Sequence, residues 1–253
     1  MIFRETDNEY MMITQHDHAN LSGQITENFN IKILNNDTYF DDLVTAAYEH
    51  DRGWIVMDET PFWNDQSNGP YSFTDFPMLI KLLCYKNGID EVESVNNYAA
   101  LLCSMHYADF FSDTVNKDCI RFKNLELKRQ ANIQDLLKPI DANLLFQHFR
   151  MIQFCDRLSL YICLNEPGIS KVNEHERYKE GFINTEIFNH ANKPIVASWM
   201  DNKRVNLDSF PFNSNFTCML KYKAVPKIMI QHLGIANAYK QSEWREQEVI
   251  FCE

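Results

Sequence analysis

Several absences narrow what this chain does before any motif is read. No window approaches the ~18 consecutive apolar residues of a membrane-spanning helix. Met1 to Tyr10 is charged and lacks the apolar stretch of a signal peptide. A basic surplus is missing too: 24 Lys and Arg stand against 35 Asp and Glu, a formal charge of -11. That field repels nucleic-acid phosphates and anionic lipid alike, so neither nucleic acid nor membrane is an expected partner. A small anionic substrate stays compatible, because a bound dication inverts the local potential whatever the net charge. The seven cysteines are odd in number, scattered and never spaced C-x-x-C, which suggests neither a disulfide framework nor a thiolate zinc site and fits a cytoplasmic chain. There is no Gly-rich phosphate loop and no nucleophile elbow, so nucleotide-binding folds and serine hydrolases drop out. Internal repeats, low-complexity tracts and Gly/Ser linkers are absent as well.

What remains is apolar enough for a sizeable core, with 253 residues of which 45% are hydrophobic and 13% aromatic. Residues 1–253 read as a single domain. Ile2 to Glu5 and Tyr10 to Ile13 are short strands, and the polar cluster Thr14 to His18 opens a helix that runs to about Asn28. Asn36 and Asp37 offer a cap for a second helix, where Phe40, Leu43, Val44 and Ala47 recur at helical spacing and lead into Glu49-His50-Asp51. Gly53 to Pro77 breaks helices and concentrates Trp54, Phe62, Trp63, Tyr71 and Phe73, an aromatic loop serving as core cap or substrate lid. Helical patterns follow at Phe76 to Tyr85, Val95 to Phe111, Lys117 to Leu137 and Asp141 to Ile162. Beyond Gly168 the character changes to short β-prone runs: Ile195 to Met200, Arg204 to Leu207, Thr217 to Tyr222 and Val249 to Cys252. The expected architecture is mainly α: a helical core over 14–168, with a small antiparallel β annex from 1–13 and 186–253.

The chemistry-bearing feature is an ordered set of ligand types on the apolar faces of these helices. His18 precedes Leu21 and Ile25 by three and seven residues, and His106 follows Leu102 by four. Asp156 lies between Ile152 and Leu160 at four-residue spacing, so each is turned toward the interior. A lone buried carboxylate is costly unless it shifts its pKa, meets a cation or binds metal. His18, His50, Asp51, His106 and Asp156 together make a mixed nitrogen and oxygen set that suits manganese, iron, cobalt, nickel or zinc, in a mono- or dinuclear site. Adjacent helical residues point ~100° apart, so His50 and Asp51 share an ion only over the flank between them.

Read in order, His18-x-x-Leu-Ser, then Ala46-x-x-x-His50-Asp51-x-Gly53, then Asp156-Arg157-Leu158 resemble the H…HD…D signature of HD-domain phosphohydrolases. His106 is similar to an additional histidine of some members. The phrases QHDHANLSG, EHDRGW, LLCSMHY and CDRLSLYICLN also resemble a bacterial family of unknown function, DUF3891, over nearly the whole chain. The superfamily resemblance implies a helical bundle around the metal and says little of the segment after Gly168. A second His-His pair and a GYP-like motif are lacking, which disfavours the cyclic-dinucleotide phosphodiesterases.

For a metal-dependent hydrolase, Asp51 sits at the reactive centre, and Arg52 and Arg157 are placed to contact an anionic group or to orient ligands. Structural ion pairing is the plainer role for either arginine. His16 and Asp17 are candidates for proton transfer, and Trp54, Trp63, Tyr71 and Phe73 for the walls of a substrate pocket. The leading expectation is hydrolysis of a small phosphorylated or amide-like metabolite. Two others stand beside it: a di-iron oxygenase on the same scaffold, as the resemblance also implies, and a non-catalytic metal- or ligand-binding module. Homo-oligomerisation is left open.

Overall fold

The computed structural model describes residues 1–34, 38–137, 139–189 and 191–253. An antiparallel pair, β1 (Ile2–Glu5) and β2 (Glu9–Ile13), leads into α1 (Gln15–Glu27). Thr14 caps α1 by accepting from the Asp17 amide, which satisfies one of the first-turn donors the helix itself leaves open. Helix α2 (Phe40–Glu49) is entered through Tyr39 in the left-handed region, and the cap expected at Asn36 and Asp37 lies outside the described residues. A 3-10 turn at Arg52–Trp54, the short α3 (Ile55–Asp58), and the two-residue strands β3 (Trp63–Asn64) and β4 (Gly69–Pro70) organise the aromatic loop. The long helices follow: α4 (Met78–Glu93), α5 (Asn97–Asp109), α6 (Lys117–Leu136) and α7 (Ala142–Leu164). Side chains of Asn96, Asn116 and Asp141 cap the last three.

The C-terminal part holds β5 (Ala197–Trp199), β6 (Arg204–Leu207), β7 (Phe216–Pro226), α8 (Lys227–Leu233), α9 (Ile235–Gln241) and β8 (Trp244–Cys252). About half of the chain is helical, yet the strands make more than a small antiparallel annex. They form one six-stranded half-barrel in the order β1-β2-β7-β8-β6-β5, with β6 and β8 parallel. The physical reason is non-local pairing. The first hairpin docks on β7, with Glu9 opposite Pro226 and Met12 opposite Lys223, so both ends of the chain build a single sheet. Residues 227–241, expected within a β-rich region, fold as two short helices joined at Gly234, whose φ of 71° suits glycine.

Burial alternates along the first part of β7, with Phe216, Cys218 and Leu220 turned inward. Helix α1 lies against that sheet on one side and against α2 and α7 on the other. Leu21, Ile25, Ile152, Leu158, Leu220 and Phe251 consequently belong to one core that spans helices and sheet. Among the described residues, no helix is long and apolar enough to cross a membrane.

Candidate metal centre

Four helices and the turn that follows the second of them bring the five ligand candidates to one place. His18 comes from α1, His50 from the end of α2, Asp51 from the turn after it, His106 from α5 and Asp156 from α7, and all five are buried. The chain leaves helical geometry at Asp51 (φ -102°, ψ 17°), which re-aims its carboxylate relative to the ~100° step of a regular helix. The turn fits because Gly53 and Gly88 let backbone meet backbone: a Cβ on Gly53 would fall 1.9 Å from the Cys84 carbonyl oxygen. The atoms converge closely. Asp156 Oδ1 lies 3.0 Å from His18 Nε2 and 3.4 Å from His50 Nε2, while Asp51 Oδ2 lies 3.7 Å from each of those nitrogens. The two Nε2 atoms are 3.4 Å apart, and His106 Nε2 stands 3.8 Å from Asp156 Oδ2.

The surrounding bonds assign the imidazole tautomers. Ser159 donates its one hydroxyl proton to the Asp156 carbonyl at 2.8 Å, so toward His18 Nδ1, at 2.7 Å, it accepts. His18 therefore carries its proton on Nδ1. His50 Nδ1 likewise faces the Ala47 carbonyl at 2.8 Å, an acceptor only, and must donate. Both Nε2 lone pairs then point at two carboxylates. Acceptors facing acceptors in a buried space require a cation among them, whether a proton or a metal ion. Without metal, His50 takes that part: burial opposes its charging, but Asp51 and the bond to Asp156 push it up to about 9. Burial acts to raise Asp156, yet the His18 and His50 imidazoles beside it hold its carboxyl well below the usual range. His106 differs. Burial pushes it down to about 4, and its Nδ1 has no hydrogen-bond partner among the described residues. Two groups, His18/His50/Asp51 and His50/His106/Asp156, each have ligand atoms within 4.8 Å of one another and could hold a metal ion.

The cluster forms the floor of a cleft of about 410 Å³. Trp54 and Phe73 line it, together with Met78, Tyr85 and Phe110. Tyr107, also in the wall, donates its hydroxyl to Asp51 Oδ1 and stacks on Tyr85 at 3.9 Å. Three cations line the same cleft, Lys81, Arg157 and Arg177, and none pairs with a carboxylate among the described residues. Lys81 is buried, donates to the Phe73 and Thr74 carbonyls at 3.1 and 3.2 Å, and is lowered from its ordinary pKa by that burial. Burial also lowers Arg157, which donates to the Ile183 carbonyl at 2.7 Å.

Other residues singled out from the sequence lie elsewhere. Arg52 turns outward to Glu91 at 2.6 Å and Glu49 at 2.9 Å, the ion-pair role. His16 and Asp17 line a separate hollow with Lys223 and Tyr239, since residues two and one before His18 project from other sides of α1. There Asp17 accepts from the Thr14 hydroxyl at 2.5 Å. Trp63 packs edge-on to Tyr10 at 6.4 Å, beside a hollow shared with Ile230 and Ile235. Tyr71 packs against Phe76 rather than in the cleft. Lys81, Tyr107 and Arg177 were not singled out. Lys81 had a legible signal, because Lys81, Tyr85 and Ile89 share one four-residue apolar stripe.

Fold and site together define an α and β protein whose buried histidine and aspartate cluster floors a cation-lined cleft. The chain belongs to the DUF3891 family of proteins of unknown function, whose model matches residues 1–227. No curated protein and no solved structure matches it.

Proposed function

We propose that this chain is a metal-dependent hydrolase of the HD-domain type, acting on small phosphorylated molecules. The observation that carries the reading is three cations, Lys81, Arg157 and Arg177, with no carboxylate partner among the described residues, lining the cleft over a buried cluster whose bare Nε2 and carboxylate atoms call for a dication. A cleft for a neutral substrate has no need of such an arc in a chain of net charge -11. His18, His50, Asp51 and Asp156 would hold the ion, with His106 beside them. His50 belongs to both candidate groups and has only Nε2 free, so a single ion is favoured over two. When bound, such an ion supplies Lewis-acid charge that acidifies water and polarises a phosphoryl oxygen.

The protein's own residues do the positioning. Ser159 and the Ala47 carbonyl fix the His18 and His50 rings, and Tyr107 fixes Asp51. Lys81, Arg157 and Arg177 hold the phosphoryl oxygens and offset charge that develops on them. Phe73, Phe110 and Met78 seat the organic part and exclude water from the apolar wall of the cleft. Metal analysis followed by a panel of phosphomonoesters and phosphodiesters tests the reading. Turnover by wild type, lost in Asp51→Ala, supports it; abundant bound metal with no ester cleaved above that control ends it.

A further inference from the structure

Beside the metal cleft lies a second hollow, also of about 410 Å³, and the two share the Phe73–Thr74 segment and Arg177 as a common wall. Its charged groups can be taken one by one. Arg177 has no side-chain partner among the described residues. Arg4 donates to the Asn165 carbonyl and to Gln247 Oε1; among the described residues its buried Nε is unpartnered and no carboxylate lies within ion-pair distance, although Glu166 is near enough to favour its charge. His175 is held low by burial and by Arg177, so it adds no charge near neutrality. Glu5 is tied to Lys227 at 2.6 Å, which leaves Glu166 as the one carboxylate of the hollow without an ion-pair partner among the described residues. Two guanidiniums thus face one exposed carboxylate, with Ile2, Phe3 and Leu164 providing an apolar wall between.

We propose that cleft and hollow form one elongated substrate site, in which Arg177 and Arg4 take a second anionic group of the molecule whose phosphoryl group sits over the histidine and aspartate cluster. The proposal rests on the phosphohydrolase reading and narrows it. The substrate carries two anions, a phosphoryl group and a further phosphate or carboxylate, joined by a spacer that passes the Phe73–Thr74 wall. Arg177, lining both spaces, is the cation that lets one ligand be held at both ends, and charge-assisted contacts to guanidinium are the strong kind.

The test uses the metal-loaded full chain and calorimetric titration with three probe series of rising chain length. These are alkylphosphonates, alkane-α,ω-bisphosphonates and ω-phosphonocarboxylates, with metal content measured in parallel. At one chain length, a two-anion series should bind at least about tenfold tighter than the matching monophosphonate. The series that shows the gain identifies the second group as phosphate or carboxylate. Arg177→Gln should cut the gain to under about threefold with bound metal unchanged. Arg4→Met should do the same where its melting curve shows a folded protein. Equal affinity of one-anion and two-anion probes at every length, or a gain that survives Arg177→Gln, overturns the inference while leaving the hydrolase reading intact. Failure of the metal-loaded protein to bind any phosphonate removes that reading, and this one with it.

Discussion

Tyr107→Phe isolates one bond at the candidate centre. The ring stays stacked on Tyr85, 3.9 Å away, so packing is conserved and only the hydroxyl donated to Asp51 Oδ1 is lost. Both partners are buried at the bottom of the cleft they line. A hydrogen bond to a charged group contributes about 1.5–3 kcal/mol, and removal of one that orients a metal ligand costs about 10- to 100-fold in affinity. Tenfold corresponds to about 1.4 kcal/mol, so the two routes to the magnitude agree. The expected result is a metal dissociation constant raised about 10- to 100-fold, read by chelator competition with cobalt as the ion, alongside an altered visible cobalt spectrum. A purely structural tyrosine would lower the melting temperature without touching that spectrum. Unchanged affinity and spectrum in a folded Tyr107→Phe protein would refute the claim that the hydroxyl positions Asp51.

Gly53→Ala should be disproportionately damaging for one methyl group. Its Cβ would meet the backbone carbonyl of Cys84 at 1.9 Å, and backbone cannot swing aside as a side chain does. A loss of about 3 kcal/mol in urea denaturation is expected, the upper end of overpacking penalties, and a midpoint equal to wild type would show that the turn after Asp51 is loose. His148 supplies a pH signature away from the cluster. It is fully buried, bonded through Nδ1 to the Tyr98 hydroxyl at 2.9 Å, and burial holds it down to about 4. The unfolded chain binds a proton at about 6.5 that the folded one refuses, so stability falls as pH drops from about 6.5 to about 4, by about 3 kcal/mol in all. His148→Gln should remove that part of the slope, and parallel wild-type and variant profiles between pH 7 and pH 4.5 would contradict it.

Local signals carried the helical half of the molecule. The Thr14 cap, the spacing of His18, Leu21 and Ile25, and the long apolar pattern of α7 each depend on neighbours within a turn or two, and the corresponding elements appear where those patterns lie. Element ends were less legible: α4 runs on to Glu93 through Gly88, a helix-weakening residue that stands where the Gly53 backbone approaches closely. The sheet was legible strand by strand but not as a sheet, since its order depends on pairing Met12 with Lys223 and Asn206 with Cys252, which no local window contains. Helices α8 and α9 are short and lean on Tyr10 and Val225 of the sheet rather than on their own periodicity. The same division holds at the site. Ligand types were visible as residues on inward faces, whereas Arg177 reaches the cleft from a 3-10 turn whose position is set by tertiary packing alone.

The sequence also presents three histidines as equals, and the fold does not keep them so. For His18 and His50 a fixed acceptor at Nδ1 leaves Nε2 bare, and both bare atoms face Asp156 Oδ1 within 3.4 Å. Among the described residues His106 has no acceptor at Nδ1 to set its tautomer; it stands farther from Asp156 and packs edge-on against Phe110 at the cleft wall. Ring anchoring is what holds a ligand atom on a metal against the freedom of its side chain. The firm part of the donor set is therefore His18, His50, Asp51 and Asp156. His106 lines the cleft beside His18, Asp51 and Asp156, and its ring is the one whose protonated nitrogen no bond among the described residues fixes.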